Sequence, residues 1–137
     1  MKAAVLIADH DLRIADATRR CLVAHGCEAE VATNGLQCLE QLMKIEPDVI
    51  VLDPDIPWGG ADGILEWLIQ QHSPMEPMVV VADGPGSGRI LDRLLPWVDL
   101  RIQRPESLRE LQRFVMQLET VASWSKMIRG DSVDCCP

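Results

Sequence analysis

Asp48-Val-Ile-Val-Leu-Asp53-Pro-Asp-Ile-Pro-Trp-Gly-Gly-Ala-Asp-Gly63 is the stretch on which the fold turns. Val49 to Leu52 form an unbroken apolar run, which predicts a strand over Asp48–Leu52 that is buried on both faces. Strands of that kind belong to parallel sheets with helices on either side. The run stops at an acid, Asp53, and passes into a loop dense in proline and glycine. An acid just beyond the carboxyl end of a buried strand sits where open α/β sheets hold their ligands.

Strand and helix signals alternate on both sides of this segment. Ala3 to Ala8 reads as another buried strand. A helix from about Leu12 to His25 follows, capped by Asp11, with Ile14, Thr18, Cys21 and Leu22 at helical spacing and Gly26 as its stop. Glu28 to Thr33 reads as a strand. Asn34-Gly35 then turns the chain into a helix carrying Leu36, Leu39, Leu42 and Met43. Beyond the central loop a helix is expected over Ile64 to Gln71 and a strand over Met78 to Val81. The loop Asp83-Gly-Pro-Gly-Ser-Gly88 reads as a flexible connector; it lacks the Lys-Ser/Thr of a phosphate-binding loop. A short helix near Ile90 to Leu95 is broken by Pro96, and Leu100 to Ile102 makes a weak strand. Ser107-Leu-Arg-Glu110 matches a capping box and opens a last helix. That helix presents Leu108, Leu111, Val115, Leu118 and Ala122 on one stripe and ends before Gly130.

Five strand-then-helix units predict a doubly wound α/β fold, a five-stranded parallel sheet with right-handed crossovers. At 137 residues the chain fits one domain, spanning 1–122, with 123–137 forming the helix end and a tail. In this fold class the ligand edge brings together Asp9-His10, Asp53, Ala82-Asp83 and Arg104-Pro105.

Composition narrows the function classes. Apolar residues make up 47% of the chain, too many for disorder. Acids outnumber bases 21 to 13, and the net charge of −8 argues against direct binding to nucleic acid or an anionic membrane. No apolar run approaches a membrane span and no signal-peptide pattern opens the chain, so a cytoplasmic location is expected. The five cysteines contain no Cys-x-x-Cys pair, which indicates neither a disulfide framework nor structural zinc. Cys21 and Cys38 read as core residues, and the adjacent Cys135 and Cys136 as part of an inert tail.

The motifs, in this order, resemble those of response-regulator receiver domains of the CheY-like superfamily, over about residues 3–120. Val5-Leu-Ile-Ala-Asp-His-Asp11 is similar to the family's first strand, which ends in two consecutive acids. Pro47 to Asp53, followed by Pro57, Asp62 and Gly63, is similar to the segment around the phosphoacceptor aspartate. Pro77 to Val81 is similar to the fourth strand, and Arg104-Pro105 stands where the family has Lys-Pro, usually with a cis bond. The resemblance implies strand order 2-1-3-4-5 and a phosphoacceptor position at Asp53. It also implies Mg²⁺ ligation by the acid pair, by Asp53 and by the carbonyl of Asp55.

Four positions depart from the family pattern. The second acid is His10, the Ser/Thr hydroxyl position is Ala82, the lysine is Arg104, and the aromatic switch residue is Arg101. Magnesium asks for hard oxygen ligands, which an imidazole does not offer. Loss of a single preorganised donor costs about 100- to 1,000-fold in rate. The expectation is therefore an atypical receiver with impaired or absent phosphorylation of Asp53, needing no cofactor and holding Mg²⁺ weakly if at all. Any ion would sit on Asp9, Asp53 and Asp55. His10 either ligates a transition metal or bonds a neighbouring carboxylate, the preferred reading, and Arg104 is expected to pair with Asp53.

Such a chain would be a protein-interaction module and not an enzyme. Its partner would be a histidine kinase, a phosphotransfer protein, another regulator or a second copy of itself. The surface implied by the resemblance includes Arg93, Trp97, Arg101 and Arg113, residue types that anchor interfaces, although Trp97 could equally pack inward. With no effector domain evident, output is expected through a partner in trans or through a domain absent from this chain. Two alternatives stand beside it: a working receiver that phosphorylates Asp53 with Mg²⁺, and, ranked lower, a phosphatase of the haloacid-dehalogenase type reading Asp53 and Asp55 as nucleophile and acid/base.

Overall fold

The computed structural model describes residues 2–71 and 76–128. Its elements run β1 (Ala4–Ala8), α1 (Leu12–Ala24), β2 (Glu28–Ala32), α2 (Gly35–Lys44), β3 (Val49–Leu52), α3 (Gly60–Gln71) and β4 (Met78–Asp83). A 3-10 helix (Asp92–Trp97), β5 (Leu100–Gln103) and α4 (Leu108–Ile128) follow. All five strands pair in parallel, in the order β2-β1-β3-β4-β5.

Alternation along the strands divides the core into two layers. Leu6, Ile50, Leu52, Val79 and Val81 face α2, α3 and the 3-10 helix, packing on Cys38, Leu42, Ile64, Leu65 and Leu94. Val5, Ile7, Val49, Val51 and Val80 face the other way, toward Ala15 and Leu22 of α1 and Phe114, Val115 and Leu118 of α4. Every residue of β3 is buried, as its unbroken apolar run requires.

Helical faces differ from the expectation in three places. In α2, Leu36 and Met43 are exposed, and Gly35, Cys38 and Leu42 point inward. In α4, Leu108 is exposed; the buried stripe runs through Leu111, Phe114, Val115, Leu118, Val121 and Ala122 to Ser125. α3 begins at Gly60, one turn before Ile64, and the Pro96 segment forms a 3-10 helix that takes in the proline. In α1, Thr18 and Leu22 are buried, with Ile14 and Cys21 only partly so.

The rotation of α2 has a cause in the backbone. Asn34 caps the helix by accepting from the Gln37 N–H, and the Gly35 N–H donates to the Pro57 carbonyl at 2.7 Å. A Cβ at Gly35 would lie 1.9 Å from the Trp58 carbonyl oxygen, so the loop after β3 can lie against α2 only because the residue is glycine. Trp58 itself adopts a φ of 64° and is largely exposed.

α4 continues past Ala122 and is tied to the far edge of the sheet. Buried Ser125 donates to the Asp48 carbonyl at 3.0 Å. The buried Asp48 carboxylate accepts the Ala4 N–H at 2.8 Å and pairs with Lys126 at 3.3 Å. One aspartate thus joins β1, β3 and α4. The expected helix end before Gly130, the tail beyond it, and Cys135 and Cys136 lie outside the described residues. Among the described peptides none is cis, so Arg104–Pro105 is trans, the isomer an X–Pro bond favours by about 0.5–1 kcal/mol.

Two outcomes are expected. Gly35→Ala should lower stability in urea unfolding by about 1–3 kcal/mol through overpacking. Gly63→Ala, where an added Cβ meets nothing within 4 Å, should be neutral or stabilising by about 0.5–1 kcal/mol because glycine is a poor helix residue. Burial pushes the Cys38 thiol up to about 12 from 9.0. The unfolded chain then ionises first, so this cysteine should make stability fall as pH rises between those values and leave it unaffected below them. Cys38→Ser unfolding curves compared at pH 8 and pH 10.5 would read this out.

Candidate functional site

Parallel register decides which acids meet. Ala8 lies opposite Leu52, so the next residues, Asp9 and Asp53, leave the sheet side by side at its carboxyl edge. The Asp53 N–H donates to the Ala8 carbonyl at 2.9 Å, and that of Asp9 to the Ala32 carbonyl at 3.0 Å. Both carboxylates are buried, Asp9 at 5% and Asp53 at 1% exposure. Two buried anions in contact need compensating charge and hydrogen bonds.

The compensation comes from within the chain. Arg104 forks onto Asp9, with Nη2 at 2.7 Å from Oδ1 and Nε at 3.1 Å from Oδ2. The bond to Asp9 holds the guanidinium even more firmly protonated than usual, with Asp53 and Asp11 adding to the effect and partial burial opposing it. Arg104 is itself positioned by its N–H, which donates to the Asp83 carbonyl at 2.8 Å. His10 serves the other acid: its N–H donates to Asp53 Oδ2 at 3.1 Å and its ring Nδ1 bonds the same oxygen. Asp53 Oδ1 accepts from the Asp55 N–H at 2.9 Å, and Asp9 Oδ1 from the Asp11 N–H at 2.8 Å.

The expected pair of Arg104 with Asp53 is therefore corrected to Arg104 with Asp9. β5 lies beyond β4, and the guanidinium reaches past the ends of both β4 and β3 to the acid of β1, while His10 already covers Asp53. The histidine does bond a neighbouring carboxylate, as the sequence suggested. Asp55 joins the site only through its backbone: its carboxylate accepts from the Gly88 N–H at 2.8 Å. The Gly-rich segment is correspondingly less free than a connector, since Ser87 also closes a turn onto Gly84.

Ala82 is buried in β4, in the core layer that packs against α1 and α4. Arg101 turns its guanidinium onto Asp83, 2.6 Å away. Arg93 pairs with Glu66 of α3, Trp97 is about half exposed at the end of the 3-10 helix, and Arg113 is exposed on α4. These four residues lie on three elements and do not form one contact cluster with the acidic pocket.

The residues present do not suit magnesium. The position of the second hard oxygen ligand is an imidazole, and both Asp9 oxygens already accept from Arg104. What sequence reading missed was the division of labour between Arg104 and His10. The only sequence signal for it is the longer, forked side chain of arginine in place of lysine.

Removing the guanidinium should leave Asp9 buried and uncompensated. Arg104→Met is expected to lower stability by about 3–5 kcal/mol, with Arg104→Lys recovering part of the loss. A double-mutant cycle in urea should give Arg104 a larger coupling to Asp9 than to Asp53. Equal couplings, or a larger one to Asp53, would contradict the pairing.

No family model matches the chain. Over 86 residues it is 27% identical to the transcriptional regulatory protein CutR of Streptomyces coelicolor, a match covering 63% of this chain and 40% of CutR. The matched stretch thus spans well under half of that relative. A CheY-like response regulator receiver domain protein from Methanospirillum hungatei superposes with a TM-score of 0.76 at 20% identity, covering 95% of this chain and 99% of that one. The receiver domain of the Francisella response regulator 1452 gives 0.72 at 22% identity, covering 91% and 100%. With its sheet order and its acids at the same edge, this chain has the fold of CheY-like response-regulator receiver domains.

Proposed function

We propose that this chain is a receiver module of two-component-type signalling that acts by protein contact, with phosphorylation of Asp53 impaired or absent. The observation that carries this reading is a pocket neutralised from inside. Arg104 occupies both oxygens of Asp9 and His10 covers Asp53. Phosphoryl transfer between two anions depends on positioned cations to offset their repulsion. Here Arg104 and His10 are committed to the two acids before any donor arrives.

The switch half of the chemistry is also altered. A phosphoryl group on Asp53 would find a methyl at Ala82 in place of a hydroxyl donor. Arg101, tied to Asp83, has no aromatic ring to move inward. A module locked in one state fits constitutive binding to a histidine kinase, a phosphotransfer protein, another regulator or a second copy of itself. Arg93, Trp97, Arg101 and Arg113 are the residues through which such contact would be sought. The acidic balance of the chain does not favour direct contact with nucleic acid or an anionic membrane, and among the described residues no helix is long and apolar enough to cross a membrane.

The same pocket separates this reading from an enzymatic one. An acid/base role for Asp55 requires a carboxylate free to face Asp53, whereas it is bonded to the Gly88 N–H. Incubation with acetyl phosphate and Mg²⁺ should leave the intact mass unchanged and the oligomeric state unaltered. A gain of one phosphoryl group that disappears in Asp53→Ala would replace this proposal with a working receiver.

A further inference from the structure

The pocket rejects magnesium by its chemistry, yet three of its side chains converge as a ligand set. One donor atom each from Asp9, His10 and Asp53 lie within 4.8 Å of one another. The geometry points to a site for a borderline divalent transition metal, of the Zn²⁺ or Co²⁺ type, held by Asp9 Oδ1, His10 Nδ1 and Asp53 Oδ2.

The donor atoms follow from the contacts. His10 presents Nδ1, not Nε2, to both acids: it bonds Asp53 Oδ2 and stands 3.9 Å from Asp9 Oδ1. Ligands about 2.0–2.2 Å from one ion sit roughly 3–4 Å apart, so small side-chain shifts bring all three to coordination distance. An imidazole with two carboxylates suits zinc, cobalt, nickel or iron, whereas an all-oxygen set suits magnesium. His10 thus changes the preference of the pocket as well as removing an oxygen ligand. The histidine side chain is 43% exposed, which gives an ion a path from solvent and leaves room for water in the remaining coordination positions.

Arg104 sets the strength of the site. It holds both oxygens of Asp9, so an ion must displace at least one of those two bonds. Its side chain is 21% exposed and can swing outward as the ion takes over the charge. Guanidinium and metal are alternative counter-ions for the same buried acid. This inference does not rest on the proposed function; it would hold equally if Asp53 proved to be phosphorylated.

The test uses the full chain and CoCl₂, ZnCl₂ and MgCl₂ alone at neutral pH, read by isothermal titration and, for cobalt, by visible absorption. Cobalt and zinc should bind with affinities at least 100-fold above that of magnesium. His10→Gln, whose side-chain amide can still donate to Asp53, is expected to lose one cobalt ion per chain, and Asp53→Asn the same ion, with urea unfolding confirming that both variants fold. In His10→Asp the ratio of cobalt to magnesium affinity should narrow at least tenfold. Unchanged cobalt stoichiometry and affinity in His10→Gln would overturn the site, locating any bound metal elsewhere, for example on cysteines. An unchanged cobalt-to-magnesium ratio in His10→Asp would overturn the role given to the imidazole.

Discussion

Two carboxylates buried side by side, Asp9 and Asp53, are the constraint on which the rest of the site depends. Parallel pairing of β1 with β3 brings them together, and neither can turn to solvent while its strand stays in register. Buried anions without partners cost several kcal/mol each, so the chain must deliver bonding partners to that edge. It does so from two directions. His10 arrives as the next residue of the β1 loop, and Arg104 arrives from the end of β5, past the ends of β4 and β3. The position of β5 at the outside of the sheet therefore matters to the pocket as much as the acids do.

The opposite edge repeats this logic with different residues. Asp48 is buried at the start of β3 and is paired by Lys126, with the Ala4 N–H and the Ser125 hydroxyl completing the junction. Thus β3 carries a buried aspartate just outside each end: Asp48 is paired by Lys126 of the last helix, and Asp53 is bonded by His10 of the β1 loop. The last helix is consequently structural beyond Ala122. Packing of Val121, Ala122 and Ser125 explains why the helix continues where a frayed end could otherwise begin.

Function on this scaffold turns on which counter-ion the acids use. A pocket that recruits its charge from solution can be switched by whatever brings that charge. In the proposed reading, a pocket that carries Arg104 and His10 needs no charge from solution, and Ala82 and Arg101 stand where charge at Asp53 would otherwise be passed to β4 and β5. Arg101 and Asp83 form an ion pair at that rim, which gives the altered switch residue a partner of its own.

Much of the architecture was legible in the sequence because its cause is local. Unbroken apolar runs at Val5 to Ala8 and Val49 to Leu52 dictate strands buried on both faces, and Asp11, Asn34 and Ser107 cap the helices that follow. Strand order was legible only through the resemblance to receiver domains, whereas the placing of Asp9 and Asp53 at one edge followed from parallel strands, which fix the residue after each strand. Three things were decided only in the folded chain. Helix rotation was one: Leu36 and Leu108 fit an apolar stripe yet face solvent, because a close backbone approach at Gly35 and the packing of Phe114 set which face turns inward. The reach of Arg104 was another, for no sequence spacing tells which of two adjacent acids a long side chain will find. The last was the role of Asp55, whose carboxylate was taken by a backbone N–H of Gly88, 33 residues away. Periodicity and strand ends are properties of nearest neighbours in sequence, whereas a side chain's choice of partner depends on distances that exist only once the sheet has closed.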